Sequence, residues 1–112
     1  MGWMSDESGL EKNEANYAPL TPLSHLRRAS TVFSDRTAVI SGSHRKNYYE
    51  YYQRCSQLAR ALEKIGIKSG DVVATVLPNI PAQAEAHFGV PACGAVLNTI
   101  NTRLDLNTIT YI

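Results

Sequence analysis

Glycine is sparse in this chain, seven in 112 residues, and none cluster. There is no GxxxxGK(S/T) and no GxGxxG, so no run of exposed backbone N–H groups offers a ready cradle for phosphates. Cysteine is limited to Cys55 and Cys93, far apart and each inside an apolar helical pattern. That spacing excludes a disulfide framework and a CxxC-type metal site, and both read as buried thiols of a reducing compartment. Charge of one sign is missing too: eleven basic residues face ten acidic ones for a net of +1, which gives no electrostatic footprint for nucleic acid. No apolar run approaches the about 20 residues needed to span a bilayer. The first residues show no charged-then-apolar signal pattern. Met1-Gly2 lacks the rest of a myristoylation motif, because Asp6 stands where Ser or Thr is required.

What is present is a chain able to fold, with 44% hydrophobic residues. Residues 1–16 are polar, carry no sustained apolar period and read as a flexible leader in which Trp3 is the odd member. From there the patterning sharpens. Thr21-Pro22 starts a helix, with Thr as N-cap and Pro where its missing N–H costs nothing. Leu23, Leu26, Ala29 and Phe33 give that helix one apolar stripe. Thr37–Ser41 is a β-branched strand, Gly42-Ser43-His44 a turn and Arg45–Tyr48 its partner, so a hairpin is expected, with His44-Arg45-Lys46 solvated on it.

From Tyr49 to Ile65 the period becomes helical. Tyr51, Cys55, Leu58, Leu62 and Ile65 share one face, while Gln53, Arg54, Gln57, Arg60 and Lys64 lie opposite, and Gly66 stops the helix. The surrounding tyrosines read as packing of hairpin against helix rather than as a recognition box. Val72–Val76 is an apolar strand without alternation, the kind found in parallel sheets covered on both faces. A helix of small residues follows, from about Ile80 to Cys93, suited to lying close against a sheet or another helix, with Pro91 kinking it or marking its last turn. Gly94–Leu97 forms a second parallel strand, and Asp105 caps one more helix over 106–112.

Few residues carry chemistry. His25, His44 and His87 have no cysteine or carboxylate at ligand spacing; Glu85 precedes His87 by two positions, which on a helix are not neighbours. Asp35, Asp71 and Asp105 sit at turns and are assigned turn and cap roles. Arg27-Arg28-Ala29-Ser30 has the form of a basophilic phosphosite, and its plainer reading is an exposed helical face. Asn79 is the best-placed polar side chain, at the carboxyl edge of a parallel strand, where open α/β sheets bind ligands. Its preferred role is N-cap, with a ligand-facing role as the alternative. Asn98, Asn101 and Arg103 follow the second strand at the same edge; the preferred partner of Arg103 is Asp105, with a phosphate as the alternative.

Several segments together carry a family resemblance: YAPLTPLSHL over 17–26, DRTAV over 35–39, NYYEYYQRCSQLA over 47–59, GDVVA over 70–74, LPNIP over 77–81 and HFGVPACGAVLNTINTRLD over 87–105. Across residues 16–112 the chain resembles AMP-forming acyl-CoA synthetases, the acyl-activating enzymes of the plant butyrate- and benzoate-CoA ligase kind. The resemblance implies an α/β fold. The chain would supply the incomplete first part of the N-terminal domain of an adenylate-forming enzyme, a β-hairpin plus a parallel strand–helix–strand unit, with a partial AMP-binding-type domain over 17–112. For the full-length family it implies a carboxylic acid substrate, ATP, magnesium and coenzyme A, in a cytoplasmic or peroxisomal setting.

The family's phosphate loop, nucleotide contacts and C-terminal lysine have no counterpart here. No catalytic, cofactor-binding or metal-binding residue is therefore nominated, and no cofactor is assigned to this chain. The expectation is an N-terminal fragment of an acyl-CoA synthetase, inactive alone, whose partner would be the remainder of the enzyme. The alternative is a free-standing, non-catalytic α/β module that binds a protein partner.

Overall fold

The computed structural model describes residues 11–112. Most of the expected leader, Trp3 included, lies outside that range. Residues 11–16 form an exposed turn in which Asn13 Oδ1 accepts from the N–H groups of Ala15 and Asn16 at 2.9 and 3.2 Å.

The first helix, α1, spans Pro22–Val32 and starts as its sequence dictates. Thr21 Oγ1 accepts from the Ser24 N–H, and Ser24 Oγ accepts in return from the Thr21 N–H at 3.0 Å. Leu26 and Ser30 are its buried residues. Phe33, expected on the apolar stripe, is instead the exposed C-cap; the turn away from the helix carries its ring out beside Arg36, whose guanidinium carbon lies 5.3 Å from the ring centre.

Strands β1 (Thr37–Ser41) and β2 (His44–Asn47) form the expected antiparallel hairpin, turning at Gly42 with φ of 58°. Tyr48 does not continue β2. Asn47 caps helix α2 (Tyr48–Lys64): its Oδ1 accepts from the Glu50 N–H at 2.8 Å while Glu50 Oε2 accepts from the Asn47 N–H at 2.9 Å. This reciprocal pair, not β-propensity, decides where strand becomes helix. Tyr51, Cys55 and Ala59 are buried along α2, with Leu58 and Leu62 half-buried. Ile65 departs from the expected stripe and is 76% exposed, because the helix has ended and the chain turns through Gly66 at φ 98°.

Strands β3 (Val72–Thr75) and β4 (Val96–Thr99) pair in parallel, Val72 opposite Val96 and Thr75 opposite Thr99, joined by helix α3 (Pro81–Ala92). Pro91 occupies the last turn of α3, where the missing N–H does little harm. The second strand starts later than expected. Gly94 sits at φ 79°, and a Cβ there would come within 2.9 Å of Ser69 Oγ, so it serves a tight turn rather than the strand. Asp105 caps the short helix α4 (Leu106–Tyr111), accepting from the Thr108 N–H at 2.7 Å.

Two apolar clusters hold these elements. Leu26, Tyr51 and Cys55 join α1, the hairpin, α2 and Phe88 of α3. Ala86, Val90 and Ala95 gather Leu58 and Leu62 of α2 with Val73 and Leu97 of the parallel pair. Among the described residues the parallel pair is covered on that face alone. The continuous apolar run suggests cover on both, yet on the other face Val72, Val76 and Val96 are 62%, 50% and 54% exposed.

The small residues of α3 bring it against α2 as expected, most closely at Gly89, where an added Cβ would lie 2.7–2.9 Å from three side-chain atoms of Leu58. Gly89→Ala gains helix propensity of about 1 kcal/mol. It loses about 1–3 kcal/mol to overpacking, and the Leu58 Cβ, fixed to the backbone, cannot retreat. The steric loss is expected to win: Gly89→Ala lowers the urea midpoint of the native chain but not that of a Leu58→Gly background, which removes the opposing Cβ as well. Equal effects in the two backgrounds would show that the close approach is not what requires glycine.

Candidate functional site

The strand–helix–strand unit places the carboxyl ends of β3 and β4 beside the first turn of α3. A cleft of about 580 Å³ opens there, lined by Asn79, Gln83, His87, Asn101, Thr102 and Arg103 over a floor that includes Leu77 and Thr99. Asn79, Asn101 and Arg103, expected at this edge, do meet in it; Asn98 does not line it. Two local assignments are corrected. The N-cap of α3 is Ile80, whose side chain can make no capping bond, so Asn79 faces the cleft without capping the helix. Arg103 forms no ion pair with Asp105 among the described residues: the Asp105 carboxylate turns to the Thr108 N–H, which holds its pKa below the ordinary value.

His87 Nδ1 lies 2.7 Å from the carbonyl of Gln83. A carbonyl only accepts, so Nδ1 carries the proton and Nε2 is left as the acceptor of the neutral ring. The cleft runs on into an apolar groove of about 670 Å³ along the hairpin and α3, lined by Val39, Ile40, Tyr51, Ile80 and Phe88; Asn79, Gln83 and His87 border both hollows. Among the described residues, no carboxylate, cysteine or serine lines the cleft, and no carboxylate or cysteine lines the groove. The arrangement can bind and orient, but among the described residues no hydroxyl or thiol is hydrogen-bonded to His87 as a nucleophile–base pair would be.

Two buried polar groups have roles that the sequence did not reveal: Gln83, which it did not single out, and Glu85, considered only against His87. Gln83 is buried at the junction of cleft and groove. Glu85 is buried two residues along, where Lys46 Nζ of the hairpin reaches Oε1 at 2.7 Å and Arg54 Nη2 of α2 reaches Oε2 at 3.3 Å. Lys46 and Arg54 are thus not solvated bystanders: they lock hairpin and α2 to α3. The available signal was that Gln83 and Glu85 interrupt a run of small residues in a helix apolar enough to be enclosed. Around this carboxylate, Tyr51 donates its hydroxyl to the Ala84 carbonyl at 2.7 Å, and burial pushes its pKa up. Burial and the negative charge of Glu85 raise the Cys55 thiol to about 11, so it stays protonated and unreactive at neutral pH. Cys93 is only half-buried, and its Sγ lies 3.1 Å from the Val90 carbonyl; both cysteines are free. Of the remaining histidines, His25 and His44 are exposed and belong to neither hollow.

A model described as AMP-binding enzyme matches residues 26–112. The chain belongs to the AMP-binding enzyme family. It is 49% identical over 107 residues to an acetate–CoA ligase of Humulus lupulus, covering 96% of this chain and 19% of that protein. It is 48% identical over 103 residues to a peroxisomal trans-cinnamate:CoA ligase of Petunia hybrida, covering 92% and 18%. Among solved structures, the inhibitor-bound N-terminal domain of FACL13 from Mycobacterium tuberculosis superposes with a TM-score of 0.76 at 30% identity, over 80% of this chain and 23% of that one. The chain therefore spans about a fifth of the length of the ligases it matches, and its fold is the mixed α/β start of an adenylate-forming domain.

The family's nucleotide and magnesium can be tested against these residues. Among the described residues no group of three His, Cys, Asp or Glu side chains could hold a metal ion. The cleft has no carboxylate for magnesium, which takes oxygen ligands and usually at least one carboxylate. The first turn of α3 begins with Ile80 and Pro81, so it has neither a polar cap nor the first N–H. These residues alone do not fit a magnesium–nucleotide, and no step through one is derived. No helix among the described residues is long and apolar enough to cross a membrane.

For Glu85, burial disfavours the charge, but the hydrogen bonds and charges of Lys46 and Arg54 outweigh it, and its pKa falls below the ordinary 4.5. A carboxyl lowered on folding binds fewer protons in the native state. Its stabilisation is complete above about pH 4.5 and is lost as pH falls through the lower, native value. Glu85→Gln is expected to destabilise the chain at pH 7, with the difference from the parent shrinking below pH 4.5. Lys46→Met should cost about 1–3 kcal/mol at pH 7. Urea unfolding at pH 7 and below the ordinary carboxyl range checks both; a pH-independent difference would show that Glu85 is not held as a carboxylate.

Proposed function

We propose that this chain forms the opening part of the N-terminal domain of an AMP-forming acyl-CoA synthetase. The parent reaction joins a carboxylic acid, ATP and coenzyme A into acyl-CoA, AMP and pyrophosphate, with magnesium accompanying the ATP. The observation that carries this reading is the 49% identity over 96% of the chain to a single class of CoA ligase. Residues 17–112 are read as the partial domain, in a peroxisomal or cytoplasmic setting; several relatives are named as peroxisomal.

Within that reaction the described residues act as scaffold. The Lys46–Glu85–Arg54 bridge and the α2–α3 contact fix a parallel pair whose carboxyl ends face a polar cleft. Acyl adenylation depends on positioning an acid against the α-phosphate and stabilising charge as it develops. Among the described residues the cleft supplies one guanidinium, no carboxylate and no cluster of metal-binding side chains, which is too little for either task. The 112-residue chain alone is expected to be inactive. Nothing among the described residues favours the reading as a free-standing module.

ATP–pyrophosphate exchange by the purified chain, with magnesium and a panel of short, long and aromatic acids, tests this. Exchange at the buffer background is the expected result. Saturable exchange above background, abolished by heat denaturation, would overturn it.

A further inference from the structure

Gln83 holds a side-chain amide that the fold buries and leaves unpaired. It is 8% exposed, and neither Oε1 nor Nε2 has a hydrogen-bond partner. Such groups are rare in native proteins because an unmet buried amide is unfavourable, and they are met by protein, water or ligand in the assembled state. Gln83 stands where the apolar groove joins the polar cleft. One side offers Val39, Ile40 and Phe88, the other the guanidinium of Arg103, which makes no ion pair among the described residues.

We propose that this joined hollow is the seat of a segment from the other four-fifths of an AMP-binding enzyme, one that lays apolar side chains in the groove, sets a carboxylate against Arg103 and gives Gln83 its missing partner. The assignment rests on the reading of the chain as part of a CoA ligase. Three observations select that occupant. The relatives are about five times as long as the region matched. Among the described residues the hollow carries a cation and no carboxylate, so it complements an acidic apolar segment. The amide is already desolvated, so pairing it removes a penalty rather than stripping water from it. Turning the Gln83 side chain toward the hollow it borders is the motion that docking requires.

The proposal makes Gln83→Leu change sign with context. In the 112-residue chain, Leu removes an unpaired amide and should raise the thermal midpoint by about 4 °C or more. In a graft where these residues replace the matched part of the Humulus lupulus ligase, Leu removes a partnered amide and should lower it. Arg103→Gln should lower the midpoint of the graft and leave the isolated chain unchanged. A rise in both settings, or a fall in the isolated chain, overturns the proposal.

If the graft does not fold, the tagged 112-residue chain co-expressed with the remaining part of that ligase gives the second reading. The parent chain co-purifies with it, and each variant captures at least tenfold less; no capture by the parent overturns the proposal. Benzoate or octanoate raising the midpoint of the isolated chain, with the effect lost in Arg103→Gln, would assign the hollow to a small amphiphilic anion and overturn it as well. A folded graft without ligase activity counts against the family reading and still leaves the sign of Gln83→Leu readable.

Discussion

Gly89 lets α3 lie directly on Leu58 of α2, and the other elements take their places from that contact. With the helices this close, Ala86 and Val90 can close over Ala95 and the inner side of the parallel pair. The same approach brings Glu85 within reach of Arg54 on α2 and of Lys46 on the hairpin. A bulkier side chain at the contact would push α3 outward, opening the small apolar cluster and lengthening the charge-assisted bonds together. Packing and electrostatics are thus not separate supports here. Dispersion falls off steeply with a small gap, and a buried carboxylate is tolerable only while its partners stay in range.

The local devices were legible from sequence because each is settled by neighbours in the chain. Thr21-Pro22, the Gly42 turn, the Asp105 cap and the small-residue character of α3 all appear where the sequence puts them. The misses concern partners distant in sequence. Lys46 and Glu85 are 39 residues apart, so nothing local reveals that a hairpin lysine folds over a helix carboxylate. Arg103 and Asp105 failed for the opposite reason: a neighbouring backbone N–H competes for the carboxylate and wins by geometry. Asn79 lost the cap of α3 by a single position, since the extended residue before the helix is Ile80.

The sheet shows how burial arguments depend on context. An unbroken apolar run correctly marks a parallel strand, yet here half its side chains meet water. The inner face has its layer of helices, and the outer face presents Val72, Val76 and Val96. Together with the unpaired Gln83 amide, that surface has the character of an interior rather than an exterior. It accords with a chain whose relatives extend far beyond the matched fifth.

Asn47 is at once the last residue of β2 and the cap of α2. The hairpin and its following helix are consequently joined by a linker of zero length, with the Asn47 N–H held by the Glu50 carboxylate and the Glu50 N–H held by the Asn47 side chain. Such a joint has no hinge. Across related proteins, insertions and deletions should therefore be accommodated at the Gly42 end of the hairpin and be absent between residues 47 and 48, where one extra residue would rotate the whole of α2 by about 100°.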